Sequence, residues 1–132
     1  MSAGAVITNG GKNLLLKMLY GAAGYSAVSK FKVGTGTTTP AAGDTDLQTP
    51  VTIGAAASKA FTAGTLTFDT TNRRVTVQGF IASTECNGNV ISEAGEINAD
   101  GTPVLFSRDV FVTPITKNAN TEMQITWTHN VT

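Results

Sequence analysis

The chain has 132 residues, with nine Lys and Arg against nine Asp and Glu, so its formal net charge is zero. That length makes one domain with its own core, and neutrality excludes the basic stripe that nucleic acid or an anionic membrane surface requires. Charged residues are only 14% of the chain, against about 25% in ordinary soluble domains. Thr, Asn, Ala and Gly stand where Lys and Glu normally keep a monomer solvated. A β-rich domain of this composition is expected to place much of its surface against other protein.

Met1 to Ile7 has neither the positive charge nor the long apolar core of a signal peptide. No apolar run approaches the roughly 18 residues that span a bilayer. The expectation is synthesis and folding in a cytoplasm, with no membrane partner. Thr8 or Asn9 reads as a helix N-cap, and a short helix is predicted over about residues 9–20. Leu14, Leu15, Met18 and Leu19 recur at helical spacing and are expected to dock on the core, with Lys12 and Lys17 outside. Gly21 and Gly24 stop the helix.

Lys30–Val33 reads as a strand with Phe31 and Val33 inward. The long segment from Gly34 to Leu47 has little helical or strand character, and loops of that length in compact domains are usually functional or interface-forming. Gly34, Thr35, Gly36, Pro40, Asp44 and Asp46 are therefore candidate interface residues. Gln48–Ile53 starts another strand, which Pro50 assigns to a sheet edge. Gly54–Ala60 is compatible with helix or with an extended arm. As an arm crossing to a neighbouring subunit, its small residues Ala55, Ala56 and Ala57 would permit close backbone approach.

Phe61–Asp69 is read as a strand in which Leu66 and Phe68 alternate with Thr65 and Thr67. The chain turns over Asp69–Arg74 and returns as Val75–Ser83, with Val75, Val77, Gly79 and Ile81 on one face. Asn87-Gly88-Asn89 is a turn signal. Asn89–Ile97 then leads into Asn98-Ala99-Asp100-Gly101, where Asp-Gly supplies the positive φ of a tight hairpin. Pro103–Phe111 returns with Leu105 inward, and a loop is expected through Pro114. From Thr121 to Val131 the alternation is strict: Met123, Ile125, Trp127 and His129 point one way, Glu122, Gln124, Thr126 and Thr128 the other. Period two over that length means a half-buried strand. Trp127, the sole tryptophan, is placed at the centre of a core with Ile125, Met123, Phe31, Val33 and Leu105. The whole chain, residues 1–132, is thus a mainly β domain: an antiparallel β-sandwich or partial barrel of about six to eight strands with one short N-terminal helix.

Residues that invite a chemical reading do not complete one. Gly34-x-Gly36 lacks the third glycine of a dinucleotide loop, and Gly10-Gly11-Lys12 lacks the first glycine and the Ser or Thr of a P-loop. Asp44 and Asp46 lack the further oxygen ligands of a calcium site. His129 is the only histidine, so no two-histidine metal site exists, and a packed or oligomer-facing imidazole is expected. Cys86 has no Lys, Arg or His beside it in sequence to lower its pKa and is read as a buried or incidental thiol rather than a reactive one. Glu85, Glu93 and Glu96 lie close in sequence but are read as solvated rather than as a glycosidase pair. The chain is expected to be no enzyme, with no catalytic, cofactor-binding or metal-ligating residues.

Three segments together carry a resemblance. They are Ile7-Thr8-Asn9-Gly10-Gly11-Lys12-Asn13-Leu14-Leu15, then Val33-Gly34-Thr35-Gly36-Thr37-Thr38-Thr39-Pro40-Ala41 running on to Leu47, then Ile91-Ser92-Glu93-Ala94-Gly95-Glu96-Ile97. The third continues to Leu105-Phe106-Ser107-Arg108-Asp109-Val110-Phe111, Pro114-Ile115-Thr116-Lys117 and Ile125-Thr126-Trp127-Thr128. In this order and spacing, over nearly the whole chain, they resemble a group of small virion structural proteins of tailed bacteriophages. That resemblance implies a non-enzymatic virion protein made in the host bacterial cytoplasm. Within the group it is similar to capsid decoration (cement) proteins, which would make it a homo-oligomer, taken as a trimer, seated on the major capsid protein. The alternative is a tail, baseplate or tail-fibre component, with neighbouring tail proteins as partners and a host surface as something it could bind. The resemblance implies no nucleic-acid partner and no cofactor.

Overall fold

The computed structural model describes residues 5–131. In chain order they form β1 (Val6–Ile7), α1 (Asn9–Leu19), β2 (Val28–Gly34), β3 (Pro50–Val51), β4 (Lys59–Ala60), β5 (Thr67–Asp69), β6 (Arg74–Ile81), β7 (Val90–Asn98), β8 (Leu105–Thr116) and β9 (Met123–Asn130). Every pairing is antiparallel. A six-stranded sheet runs β1-β8-β7-β2-β3, with β4 also on β2, and a three-stranded sheet runs β5-β6-β9. Neither sheet closes on itself, so the mainly β fold is a sandwich and not a barrel.

The inner faces of the two sheets meet over one core. β9 alternates as its sequence pattern requires, and Met123, Ile125 and Trp127 pack with Val77 and Ile81 of β6 against Phe31, Val33, Ile91 and Ala94 of the larger sheet. Phe31 lies 5.6 Å from Trp127, ring centre to ring centre, and Phe61 packs on both. Leu105 is also buried, but on the other face of the large sheet, in a separate cluster with Leu47 and Ile97. β7 is consequently covered on both faces, and every residue from Ile91 to Asn98 is buried.

Several elements differ from the sequence expectation. β8 runs on through Pro114, because its register against β7 jumps between Glu93↔Val110 and Ile91↔Ile115. Pro114 sits in the resulting bulge, where a ladder donor is not needed. Gly54–Ala60 is not an arm: Ile53 and Ala56 bridge each other, and Lys59–Ala60 then pairs with β2 of the same chain. Phe61–Asp69 is strand only at Thr67–Asp69, and Leu66 and Phe68 are exposed.

The helix is the largest departure. Thr8 caps it, accepting from Gly11 N at 2.9 Å and donating to Leu105 O. It rests on β8 through Gly11 and Leu14, its only buried residues. Leu15, Met18 and Leu19, expected in the core, are exposed, as are Leu16 and Tyr20. Consecutive helical residues stand about 100° apart. Leu14-Leu15-Leu16 therefore wraps most of the circumference, and no single docking face can bury all three.

Candidate interaction surface

The loop from Gly34 to Leu47 is held down by charges buried inside the protein. Glu93, fully buried on β7, accepts from Gly36 N at 3.1 Å, Gln48 N at 3.0 Å and Thr49 N at 2.7 Å. Arg108 on β8, also buried, donates to Glu93 at 2.9 Å, to Asp44 at 2.9 Å and to Thr38 O at 3.1 Å. Burial alone would lower the guanidinium pKa, but the Asp44 and Glu93 carboxylates outweigh it and raise it. Asp44 also accepts from Ala41 N, and that bond leads the groups that hold its carboxyl below the usual range.

This network relocates several candidate residues. Gly34 and Gly36 are buried, and a Cβ on Gly36 would lie 2.6 Å from Glu93 Oε1 and 2.6 Å from Gln48 Cβ. The Gly-Thr-Gly segment thus wraps the protein's own carboxylate. Asp44 and Asp46 serve separate ion pairs, with Arg108 and with Lys32. Among the described residues no group of three or more His, Cys, Asp or Glu is placed to hold a metal ion. Thr35 and Pro40 are half-buried in the loop, while Ala55, Ala56 and Ala57 are exposed at the 54–57 turn. Glu93 and Glu96 are buried and Glu85 is half-buried against Lys59, which corrects the reading of all three as solvated. Cys86 is buried, and desolvation pushes its thiol pKa up.

The surface left unfilled lies elsewhere, beside α1. Two adjoining grooves of about 480 and 860 Å³ run between the helix and the three-stranded sheet. Both are lined by Leu15, Val75, Phe106 and His129. Met18 and Leu66 flank the first, and Phe68 flanks the second. On the floor His129 Nε2 bonds Glu96 Oε2, which also accepts from Ser107 Oγ, and the edge of Phe106 meets the imidazole at 5.4 Å. Here Glu96 is the shared acceptor between Ser107 and His129. No histidine sits beside the serine as a base, so the trio lacks the order of a nucleophilic site.

Sequence periodicity missed this surface because it docked Leu15 and Met18 on the core and read Leu66 and Phe68 only as alternating positions of a strand. The available signal was the density of apolar residues from Leu14 to Tyr20, more than one face of a short helix can bury. Among the described residues no helix is long and apolar enough to cross a membrane. No family model, no curated protein and no solved structure matches the chain.

Proposed function

We propose that the chain is a non-enzymatic structural subunit of a bacteriophage virion, a decoration protein that works as a homotrimer and braces the capsid shell. The observation that carries this reading is the number of large apolar side chains exposed on and beside α1, on a chain with no net charge. Leu15, Leu16, Leu19, Tyr20, Leu66 and Phe68 are each more than half exposed, and monomeric soluble proteins rarely expose contiguous patches of that kind. The outer face of the three-stranded sheet adds Thr76, Gln124, Thr126 and Thr128, uncharged side chains suited to lying against a second protein. The resemblance drawn from the three sequence segments supplies the virion context.

In this role the subunit acts by adding buried area and hydrogen bonds across junctions between shell subunits. Its loop network and double-covered β7 make it a stiff brace. Copy number tests the assignment. Quantitative gel analysis of purified particles from the encoding phage should give hundreds of copies per particle. A few to a few dozen copies would move the protein to the tail, and its absence from particles would overturn the reading.

A further inference from the structure

We propose that Asn87 is a site of spontaneous modification: attack by its own backbone converts it to an aspartate whose carboxylate pairs with the buried ammonium of Lys117. The chain has two Asn-Gly steps, Asn9-Gly10 and Asn87-Gly88. A glycine leaves its backbone nitrogen unshielded by a Cβ, so at these steps that nitrogen reaches the asparagine amide carbon most readily. The fold separates the two. Asn9 opens α1, its N–H held by Ala42 O at 2.7 Å and Gly10 set against Val104. Asn87 is exposed in the loop between β6 and β7. It lies between two residues at positive φ, Cys86 at 58° and Gly88 at 86°, and nothing lies within 4 Å of where a Cβ on Gly88 would stand. One contact resists the reaction there. Gly88 N donates to Lys117 O at 3.0 Å, so the turn must open before the ring can close.

Lys117 gives the site its direction. The residue is buried, and its Nζ donates to Asn87 Oδ1 at 2.9 Å, to Asn118 O at 3.2 Å and to Ser83 O at 3.3 Å. All three acceptors are uncharged, and among the described residues Lys117 makes no ion pair. Glu85, on the same loop, is held instead by Lys59 and by Ala82 N. A buried cation without an anionic partner is costly. In the reaction Gly88 N bonds to Asn87 Cγ and gives up its proton, the Cγ–Nδ2 bond breaks, and ammonia leaves. Water then opens the cyclic imide and frees a carboxylate. The ammonium at Oδ1 stabilises the negative charge that gathers on that oxygen during attack. Afterwards it faces an anion where it had a neutral acceptor. The bond from Asn87 Nδ2 to Ser83 O, at 2.8 Å, is lost, but Ser83 O keeps Lys117 as a donor.

The full-length protein is incubated at neutral pH, folded and in urea, and its peptides are mapped by mass spectrometry over time. In urea Asn9 and Asn87 are expected to exchange NH2 for OH at similar rates. In the folded protein Asn87 should react at least about tenfold faster than Asn9. Equal rates in the folded protein, or an intact Asn87 after the chain in urea has reacted, overturn the site. The pairing is tested separately with Asn87→Asp, which installs the carboxylate directly. At neutral pH its thermal midpoint is expected a few degrees above wild type. The opposite charge of Lys117 holds the new carboxyl below its unfolded value of about 4, so the gain is complete above that value and shrinks as pH falls below it. Glu85, Lys59 and Cys86, the other ionisable groups around the loop, are common to both proteins and cancel in the comparison. A variant no more stable than wild type, or a gain that persists unchanged in acid, overturns the pairing with Lys117.

Discussion

Glu93 receives three loop N–H groups and an arginine beneath the loop that covers β7, and no water-facing geometry would reproduce that set. Removing one member of a buried ion pair strands the other, at a cost of about 3–5 kcal/mol. Glu93→Ala is therefore expected to destabilise by that amount in urea unfolding, and replacing Arg108 as well, as Glu93→Leu with Arg108→Met, should recover much of the loss. Trp127→Ala removes the ring on which Phe31 and Phe61 pack, and about 3–5 kcal/mol should go with it in the same assay. Asp44 adds a pH dependence of definite sign. The Ala41 N–H and Arg108 hold its folded pKa below the ordinary value, with burial working the other way. Its contribution is thus complete above the unfolded carboxylate value of about 4 and is lost as pH falls through the lower folded value. The stability gap between wild type and Asp44→Asn should be flat from neutral pH to about pH 5 and narrow below about pH 4. A gap that widens in acid would contradict the assignment.

Among the elements, α1 holds the sharpest conflict between local preference and packing. Alanine is a better helix former than glycine by about 1 kcal/mol, so propensity alone predicts that Gly11→Ala stabilises. Gly11 instead lies directly on Phe106, where an added Cβ would meet the backbone carbonyl. The substitution is expected to lower the thermal midpoint by several degrees, whereas a rise would mean that α1 is not seated on β8 as described. The same contrast explains what could be read from residue order. β9 was legible because period two has one solution once Trp127 is inside, and the start of α1 because Thr8 is followed at the right distance by free N–H groups. The burial of Glu93 was not legible. It depends on a loop some 50 residues earlier folding over β7, a contact with no periodic signature. The exposed groove was hidden for the opposite reason: apolar spacing marks a face that seeks burial and does not say whether its own chain or another covers it. The bulge at Pro114 likewise arises from a mismatch in length between β7 and β8, which only their pairing displays.

At the scale of the whole molecule, the helix and the sandwich should differ in how they respond to concentration. β7 is paired on both edges and covered on both faces by the chain itself, so its amides are protected by folding alone. α1 has one capped end, one buried leucine and an exposed C-terminal half. A helix of 11 residues is too short to persist on its own propensity, and it draws stability from whatever covers its apolar sides. If that cover is another copy, mass action couples helix order to protein concentration. Hydrogen exchange followed at about 1 and 100 μM should therefore show residues 14–20 gaining protection at the higher concentration while residues 91–98 stay unchanged. A variant with Leu16→Asp and Leu19→Asp should exchange at both concentrations as wild type does at the lower one. Equal protection of residues 14–20 at the two concentrations, in a protein that light scattering shows to be passing from monomer to oligomer between them, would mean that the helix lies outside the contact.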